Sequence, residues 1–291
     1  MLIECKKTVK RIENEIKEDV TKLKEEGIEP CLAIIQVEGI DASDVYVRNK
    51  HKKCSDLEVS SINCLLPRTT PEEVLISVIK EYNQNPLIHG IMVQLPLPKH
   101  INATKVINTI DPLKDADCLT AANIGNLFTD GVEDITIPCT PLGIINILKD
   151  NNIKLEGKNV LIINRSMLVG KPLIELLQRE NATVTLAHSK TNKEILDSKN
   201  LDKFDIVITA VGIPNFIKAN QMSNNNKTVF IDVSMNRDIN GKLCGDIDKE
   251  LYDSENYLIT PVPGGVGTTT VVSLIANTIT CCKKQKERGL I

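Results

Sequence analysis

Three polar residues of one predicted helix carry the first hint of chemistry. In Ser43-Asp-Val-Tyr-Val-Arg-Asn-Lys50, Ser43, Tyr46 and Lys50 fall at i, i+3 and i+7, so a hydroxyl, a phenol and an ammonium share a stripe. A lysine partly desolvated against Tyr and apolar neighbours has a lowered pKa and can exchange protons near neutral pH. By spacing alone, a solvated helix face is the plainer account of the same trio. Gln94 closes an apolar run just before Leu95-Pro-Leu-Pro98, whose prolines end a strand. That leaves Gln94 at a carboxyl end, the edge where ligands gather in open α/β sheets. Lys114-Asp-Ala-Asp117 offers two carboxylates, which could equally be ordinary turn formers. Pro261-Val-Pro-Gly-Gly-Val-Gly267 is a loop in which backbone can approach a flat ligand, or simply a tight connection.

A second group of residues suits phosphate. After the apolar run ending at Ile163, Asn164-Arg-Ser-Met-Leu-Val-Gly-Lys-Pro172 leads from strand to helix, where amide N–H groups and the helix dipole can face a pyrophosphate. It is not G-x-G-x-x-G, and a plain strand-to-helix turn fits it as well. The next strand ends in Ala187-His-Ser-Lys190, with no carboxylate to accept a ribose 2′-hydroxyl. Arg165, Ser189 and Lys190 are donors suited to a 2′-phosphate, which points to NADP rather than NAD. Read without that ligand, Arg165 and Lys190 are solvated surface cations.

The elements that must position these residues alternate. Val9, Ile12, Ile16, Val20 and Leu23 predict an amphipathic helix over 6–26, closed by Gly27. Apolar runs at 31–37, 59–65 and 88–94 read as strands separated by helices at 43–56 and 71–84, which implies a parallel sheet. Residues 111–137 lack clear periodicity and read as a long functional loop with at most a short helix. Thr140 is placed to cap a helix whose first residue is Pro141 and which runs over 142–150, the domain boundary. A second array follows, with strands at 159–163, 183–187, 205–209, 228–232 and 257–259 and a helix from Lys171. This is the alternation of a dinucleotide-binding fold. A last helix at 270–286 is expected to return to the first domain. The expected domains are thus 1–139 with 270–291, and 140–269.

Bulk numbers narrow the function class. The 291 residues are 42% hydrophobic, enough for two cores. Lys plus Arg total 35 against 38 Asp plus Glu, so neither nucleic acid nor an anionic membrane is an expected partner. Nine Cys form no C-x-x-C pair and the four His are scattered, so reduced thiols and no metal are expected. The start, Met1-Leu-Ile-Glu-Cys-Lys-Lys, has no apolar signal region, and the cytoplasm is the expected location.

Taken together, Ser43-x-x-Tyr46-x-x-x-Lys50, Gly90-Ile-Met-Val-Gln-Leu-Pro-Leu-Pro98, Lys114-Asp-x-Asp117, Pro138-Cys-Thr-Pro141, Arg165-Ser-x-x-Val-Gly-Lys-Pro172, His188-Ser-Lys-Thr191 and Pro261-Val-Pro-Gly-Gly-Val-Gly267 occur in order across nearly the whole chain. They resemble the bifunctional methylenetetrahydrofolate dehydrogenase/cyclohydrolase family. The resemblance implies an α/β protein of two domains, an N-terminal three-layer folate-binding domain and a C-terminal Rossmann-type NADP domain, with a cleft between them and usually a homodimer. It implies oxidation of 5,10-methylenetetrahydrofolate with NADP and hydrolysis of the product to 10-formyltetrahydrofolate, in the one-carbon metabolism that supplies purine biosynthesis. Lys50, oriented by Gln94, is then the proton-transfer group, Tyr46 the stacking surface and Asp117 the pterin anchor. Ser43, Cys139, Pro263 and Gly264 join the substrate site, and Asn164, Arg165, Ser166, Ser189 and Met235 the cofactor site.

The chain also departs from that pattern. Asn164, Cys118 and Ser234 stand at usual glycine positions, and Thr268-Thr269 where Pro-Met is common. If those glycines have positive φ, the replacements are strained. Two other readings therefore stay open: a folate- or nucleotide-binding paralogue with reduced catalysis, and another two-domain dehydrogenase acting on amino or hydroxy acids.

Overall fold

Residues 1–291 are described in a computed structural model, except 40, 133–134, 197, 202, 220–221, 223–227 and the side chains of 41–43 and 198–199. By internal contacts the chain divides into two compact units, Arg11–Cys139 with Val271–Ile291, and Met1–Lys10 with Thr140–Thr270.

In the first unit, helix α1 (Cys5–Glu25) turns Ile12, Ile16, Val20 and Leu23 inward at spacings of three and four. Strand β1 (Cys31–Val37) is flanked in parallel by β2 (Ser60–Leu66) and β3 (Gly90–Val93). All seven residues of β1 are buried, as a central parallel strand covered on both faces requires, whereas the edge strand β2 is largely exposed. Helices α2 (Asp41–Asp56) and α3 (Glu72–Gln84) make the crossovers, and Leu75 and Ile79 of α3 join Ile35, Ile91 and Val93 in the core.

Helix α4 (Ala103–Ile107) leads to the stretch expected to be a loop, which is more ordered than its composition suggests. The amide of Ile91 donates to the carbonyl of Lys114 at 2.6 Å and that of Ala116 to Ile91 at 3.3 Å, so residues 114–116 run beside β3. Helix α5 (Ala121–Leu127) follows, capped by the Thr120 hydroxyl, which accepts from the Asn123 amide.

Helix α6 (Cys139–Asp150) begins before Thr140, so Thr140 is inside the first turn rather than its expected cap. Proline is tolerated there because first-turn amides have no intrahelical partner.

The second unit is a five-stranded parallel sheet. Its strands are β4 (Asn159–Ile163), β5 (Thr183–Ala187), β6 (Ile206–Thr209), β7 (Val229–Asp232) and β10 (Leu258–Ile259), in the order β10-β7-β6-β4-β5. Helix α7 (Gly170–Arg179) connects β4 to β5, and the short α8 (Ser198–Leu201) precedes β6. A two-stranded ribbon of β8 (Asn236–Arg237) and β9 (Leu243–Cys244) follows β7. Because β5 and β6 flank β4 on opposite sides, the connections diverge at its carboxyl end, which makes that end the topological switch point of the sheet.

Two elements differ from expectation in extent. Residues 1–10, assigned above to the first domain, pack with this second sheet: Ile3 donates its amide to Ile259 at 2.9 Å, and Ile259 donates to Met1 at 3.0 Å. The last helix, α9 (Val266–Glu287), starts four residues before the expected 270. The hydroxyls of Thr269 and Thr270 donate back to the carbonyl of Val266 at 2.9 and 3.0 Å, so a loop-like composition continues the helix.

Candidate functional site

Lys50 lies one turn after Tyr46 on α2, and its side chain is carried into the interior, with 9% of the residue exposed. Nζ donates to Gln94 Oε1 at 2.8 Å and to the sulfur of Met92 at 3.4 Å. Gln94 stands one residue past β3, where its amide continues the ladder to the carbonyl of Ile35 at 2.8 Å. Its Nε2 donates to the carbonyl of Leu95 at 2.8 Å, which leaves Oε1 turned to the lysine. Burial lowers the Lys50 pKa from its ordinary 10.5, opposed by the negative charge of Asp117. The Tyr46 phenol, half-buried, is raised by desolvation and stays protonated at neutral pH.

Asp117 and Cys139 face the same lysine. Burial, then the neighbouring Asp117 carboxylate, push the Cys139 thiol well above its ordinary value, and the thiol donates to the carbonyl of Ala116 at 3.5 Å. A buried, protonated thiol is a packing and hydrogen-bonding group, not a nucleophile. Asn277 of α9 donates Nδ2 to the carbonyls of Ala116 at 2.9 Å and Ile137 at 2.8 Å, and so fixes the backbone beside both residues.

The rest of Lys114-Asp-Ala-Asp117 is used inside the fold. Lys114 Nζ donates to the carbonyls of Asn85 at 2.7 Å and Tyr82 at 3.2 Å. The Asp115 carboxylate accepts the amides of Thr120 at 2.8 Å and Leu119 at 3.2 Å. Only Asp117 of the two aspartates is partly open to solvent. The Ser43 side chain lies outside the described residues. Pro263 and Gly264 are exposed and belong to the second unit.

The strand-to-helix turn after β4 spends its donors internally. Asn164 Oδ1 accepts from the Ser166 amide at 2.7 Å, the Ser166 hydroxyl at 2.8 Å and the Gly170 amide at 3.1 Å, while its Nδ2 donates to the carbonyl of Ala210 at 2.7 Å. The Ser166 and Gly170 amides, expected to face a pyrophosphate, therefore point at a side chain of the chain itself. A Cβ on Gly170 would overlap the carbonyl oxygen of Asn164, so the turn closes only with glycine there. Arg165, Ser189 and Lys190 are all exposed, and no carboxylate follows β5 at 188–190. These donors fit a 2′-phosphate. Apolar side chains stand out on the same loops: Met167 and Leu168 after β4, Ile213 after β6 and Met235 after β7. They fit the flat faces of a dinucleotide.

Of the three replaced glycines, only Cys118 has the left-handed backbone, with φ 57°; Asn164 and Ser234 are free of that strain. Met92 and Asn277 were not foreseen, because neither a methionine in a strand nor an asparagine in a helix signals a lysine or a carboxylate far away in sequence. Among the described residues no group of three His, Cys, Asp or Glu is placed to hold a metal ion, and no helix is long and apolar enough to cross a membrane.

The chain matches the model of the tetrahydrofolate dehydrogenase/cyclohydrolase catalytic domain over residues 3–117. The NAD(P)-binding domain of the same family matches over 138–286. It is 43% identical over 283 residues to the bifunctional protein FolD of Listeria innocua, covering 97% of each chain. Among solved structures, it superposes with TM-score 0.91 on the bifunctional enzyme FolD from Campylobacter jejuni, at 37% identity and covering 98% of this chain and 99% of that one. The Trypanosoma brucei methylenetetrahydrofolate dehydrogenase-cyclohydrolase, solved with NADP cofactor and inhibitor, gives 0.90 at 32% identity with 98% of each chain covered. With both domain models matched and relatives this similar over almost its whole length, the chain belongs to the tetrahydrofolate dehydrogenase/cyclohydrolase family.

Proposed function

We propose that this chain oxidises 5,10-methylenetetrahydrofolate to 5,10-methenyltetrahydrofolate with NADP and then hydrolyses the product to 10-formyltetrahydrofolate, with Lys50 as the proton-transfer group of the second step. The observation that carries the assignment is the buried Lys50 Nζ held 2.8 Å from Gln94 Oε1. Bound NADP supplies the hydride acceptor of the first step. That step moves no proton, so the protein's contribution is orientation. Tyr46 offers a half-buried ring on which the substrate stacks. The Asp117 carboxylate matches the adjacent ring N–H and amino donors of a pterin, and Cys139 lies beside it in the same site.

The hydrolytic step does need proton traffic. Neutral Lys50 takes a proton from the water that attacks the methenyl carbon, and the resulting ammonium gives it to N5 as the C–N5 bond breaks. The carbinol proton leaves to solvent and the formyl group stays on N10. Gln94 accepts from Nζ and aims it through the cycle. Ser43, Pro263 and Gly264 complete the substrate surface, while Arg165 and Ser189 hold the 2′-phosphate beside Asn164 and Ser166, and Met235 lies against the cofactor. The working form is a cytoplasmic homodimer.

A direct assay follows NADPH and methenyl absorbance separately, for wild type and Lys50→Met. Wild type should form NADPH without accumulating methenyl product. The variant should lose hydrolysis by about a hundredfold or more, the usual worth of a positioned proton-transfer group, while still forming NADPH. Equal hydrolysis in both proteins overturns the role of Lys50. Absence of NADPH with wild type favours the binding-only paralogue, a reading supported by the side chain of Asn164 filling the turn after β4.

A further inference from the structure

Asp246 has no exposed surface, yet the reading above gives it no part. Its carboxylate collects six donors from the carboxyl edge of the second sheet. Oδ2 accepts from the Thr209 hydroxyl at 3.0 Å, the Val211 amide at 2.6 Å and the Ser234 hydroxyl at 2.9 Å. Oδ1 accepts from the Gly212 and Ile213 amides, both at 3.0 Å, and from Asn236 Nδ2 at 2.9 Å. A carboxylate has about four lone-pair directions, so this one is saturated by the protein itself and is not waiting for a ligand.

Five of the six donors follow β6 and β7, and the sixth, Thr209, ends β6. Val211, Gly212 and Ile213 form the loop that leaves β6, and Ser234 and Asn236 bracket Met235 where the chain passes from β7 to β8. Ser234 also accepts from the Gly212 amide at 3.0 Å, joining the loops directly. Each loop presents one apolar side chain to solvent, Ile213 at 50% exposure and Met235 at 38%. From beneath, Asp232 at the end of β7 accepts the amides of Asp246 and Ile247, both at 3.0 Å. A Cβ at Gly245 would overlap the Asp232 carboxylate, so the turn that delivers Asp246 has one tight conformation.

Sheet order says which end of a dinucleotide meets these loops. The phosphate-matching donors Arg165, Ser189 and Lys190 follow β4 and β5, at one side of the sheet. A dinucleotide laid across the carboxyl edge with its adenosine end there brings its nicotinamide end over β6 and β7. We propose that Asp246 is a positioning residue for NADP: it sets the separation of Ile213 and Met235, whose side chains form the two apolar walls that receive the nicotinamide end. This rests on the assignment of NADP and Met235 made above, and adds Asp246 and Ile213 to it. Ser234, at a usual glycine position, is the link that this chain adds.

The test uses the full chain with Asp246→Asn and, as a milder change, Ser234→Ala. NADPH binding is read by fluorescence, KM is measured separately for NADP and for 5,10-methylenetetrahydrofolate, and hydrolysis of 5,10-methenyltetrahydrofolate is assayed without cofactor. Loss of one acceptor among converging N–H donors should raise the KM for NADP about tenfold in Asp246→Asn, and loss of one link about threefold in Ser234→Ala. The folate KM and the hydrolysis rate should stay within about twofold of wild type, because they depend on the first unit. A merely structural role predicts the opposite split, with both activities falling together as folded protein is lost and the KM for NADP unchanged, and that result overturns the proposal. If Asp246→Asn does not fold, Ser234→Ala decides by the same criterion. Wild type that binds no NADPH overturns the underlying cofactor assignment, whereas wild-type binding that persists in both variants overturns the role of Asp246 alone.

Discussion

Lys50 and Asp117 illustrate how one residue type acquires a role from its surroundings. Burial lowers the Lys50 pKa, and the Asp117 carboxylate only partly restores it. If the neutral amine is the base, the rate of methenyl hydrolysis climbs as pH rises through this lowered value and levels off before 10.5, where an ordinary lysine would titrate. A kcat/KM profile over roughly pH 6 to 9.5 checks it, and a flat or falling profile rules out Lys50 as base. Lys50→Arg should lose about two orders of magnitude and the pH dependence together, because a guanidinium stays charged. The spacing of Tyr46 and Lys50 was readable from the sequence because helical periodicity is local. Which aspartate of Lys114-Asp-Ala-Asp117 stays available was not, because Asp115 is consumed by the amides of Thr120 and Leu119 and Asp117 is not.

Helix α9 shows what an element contributes beyond its own length. Its amphipathic pattern is weak, and the sequence placed it after the glycine-rich loop and returned it to the first domain without saying which segments it would touch. Asn277 reaches the carbonyls of Ala116 and Ile137 and so clamps the segments that carry Asp117 and Cys139. Asn277→Ala removes the amide donor from both carbonyls, and thermal unfolding should register a loss of about 1–3 kcal/mol. Because those carbonyls adjoin the pterin anchor, the KM for 5,10-methylenetetrahydrofolate should rise several-fold while the KM for NADP holds, and an unchanged folate KM would reject the clamp. Strands β1 and β4 coincide with the apolar runs read from the sequence, since a buried parallel strand needs little besides continuous hydrophobicity. The starts of α6 and α9 were misplaced because Thr140 has the side chain of a helix cap and the threonines at 268–270 look like loop residues until their hydrogen bonds are seen.

At the scale of the whole molecule, stability carries a signature from the buried Asp232. Desolvation raises its pKa from 3.8 to about 7, against the amides of Asp246 and Ile247, and the Asp246 carboxylate adds to the rise. Because the folded value lies above the unfolded one, the protonated carboxyl contributes stability that is fully present below about pH 4 and is lost as pH rises through about 7. The midpoint of thermal unfolding should therefore fall more steeply between about pH 4 and 7 in wild type than in Asp232→Asn, and parallel curves would refute this titration. Sedimentation should give about twice the 32.2 kDa chain mass if the homodimer assignment holds. The sequence by itself determined the alternation of strands and helices, the parallel sheets and the family, because these follow from periodicity, turn chemistry and motifs within a few residues of one another. Tertiary structure alone decided that residues 1–10 join the second sheet, that Asn164 fills its own turn, and that one carboxylate at 246 ties together segments as far back as Thr209. Those outcomes depend on which buried donors and acceptors meet after the chain has folded, and no local pattern records that.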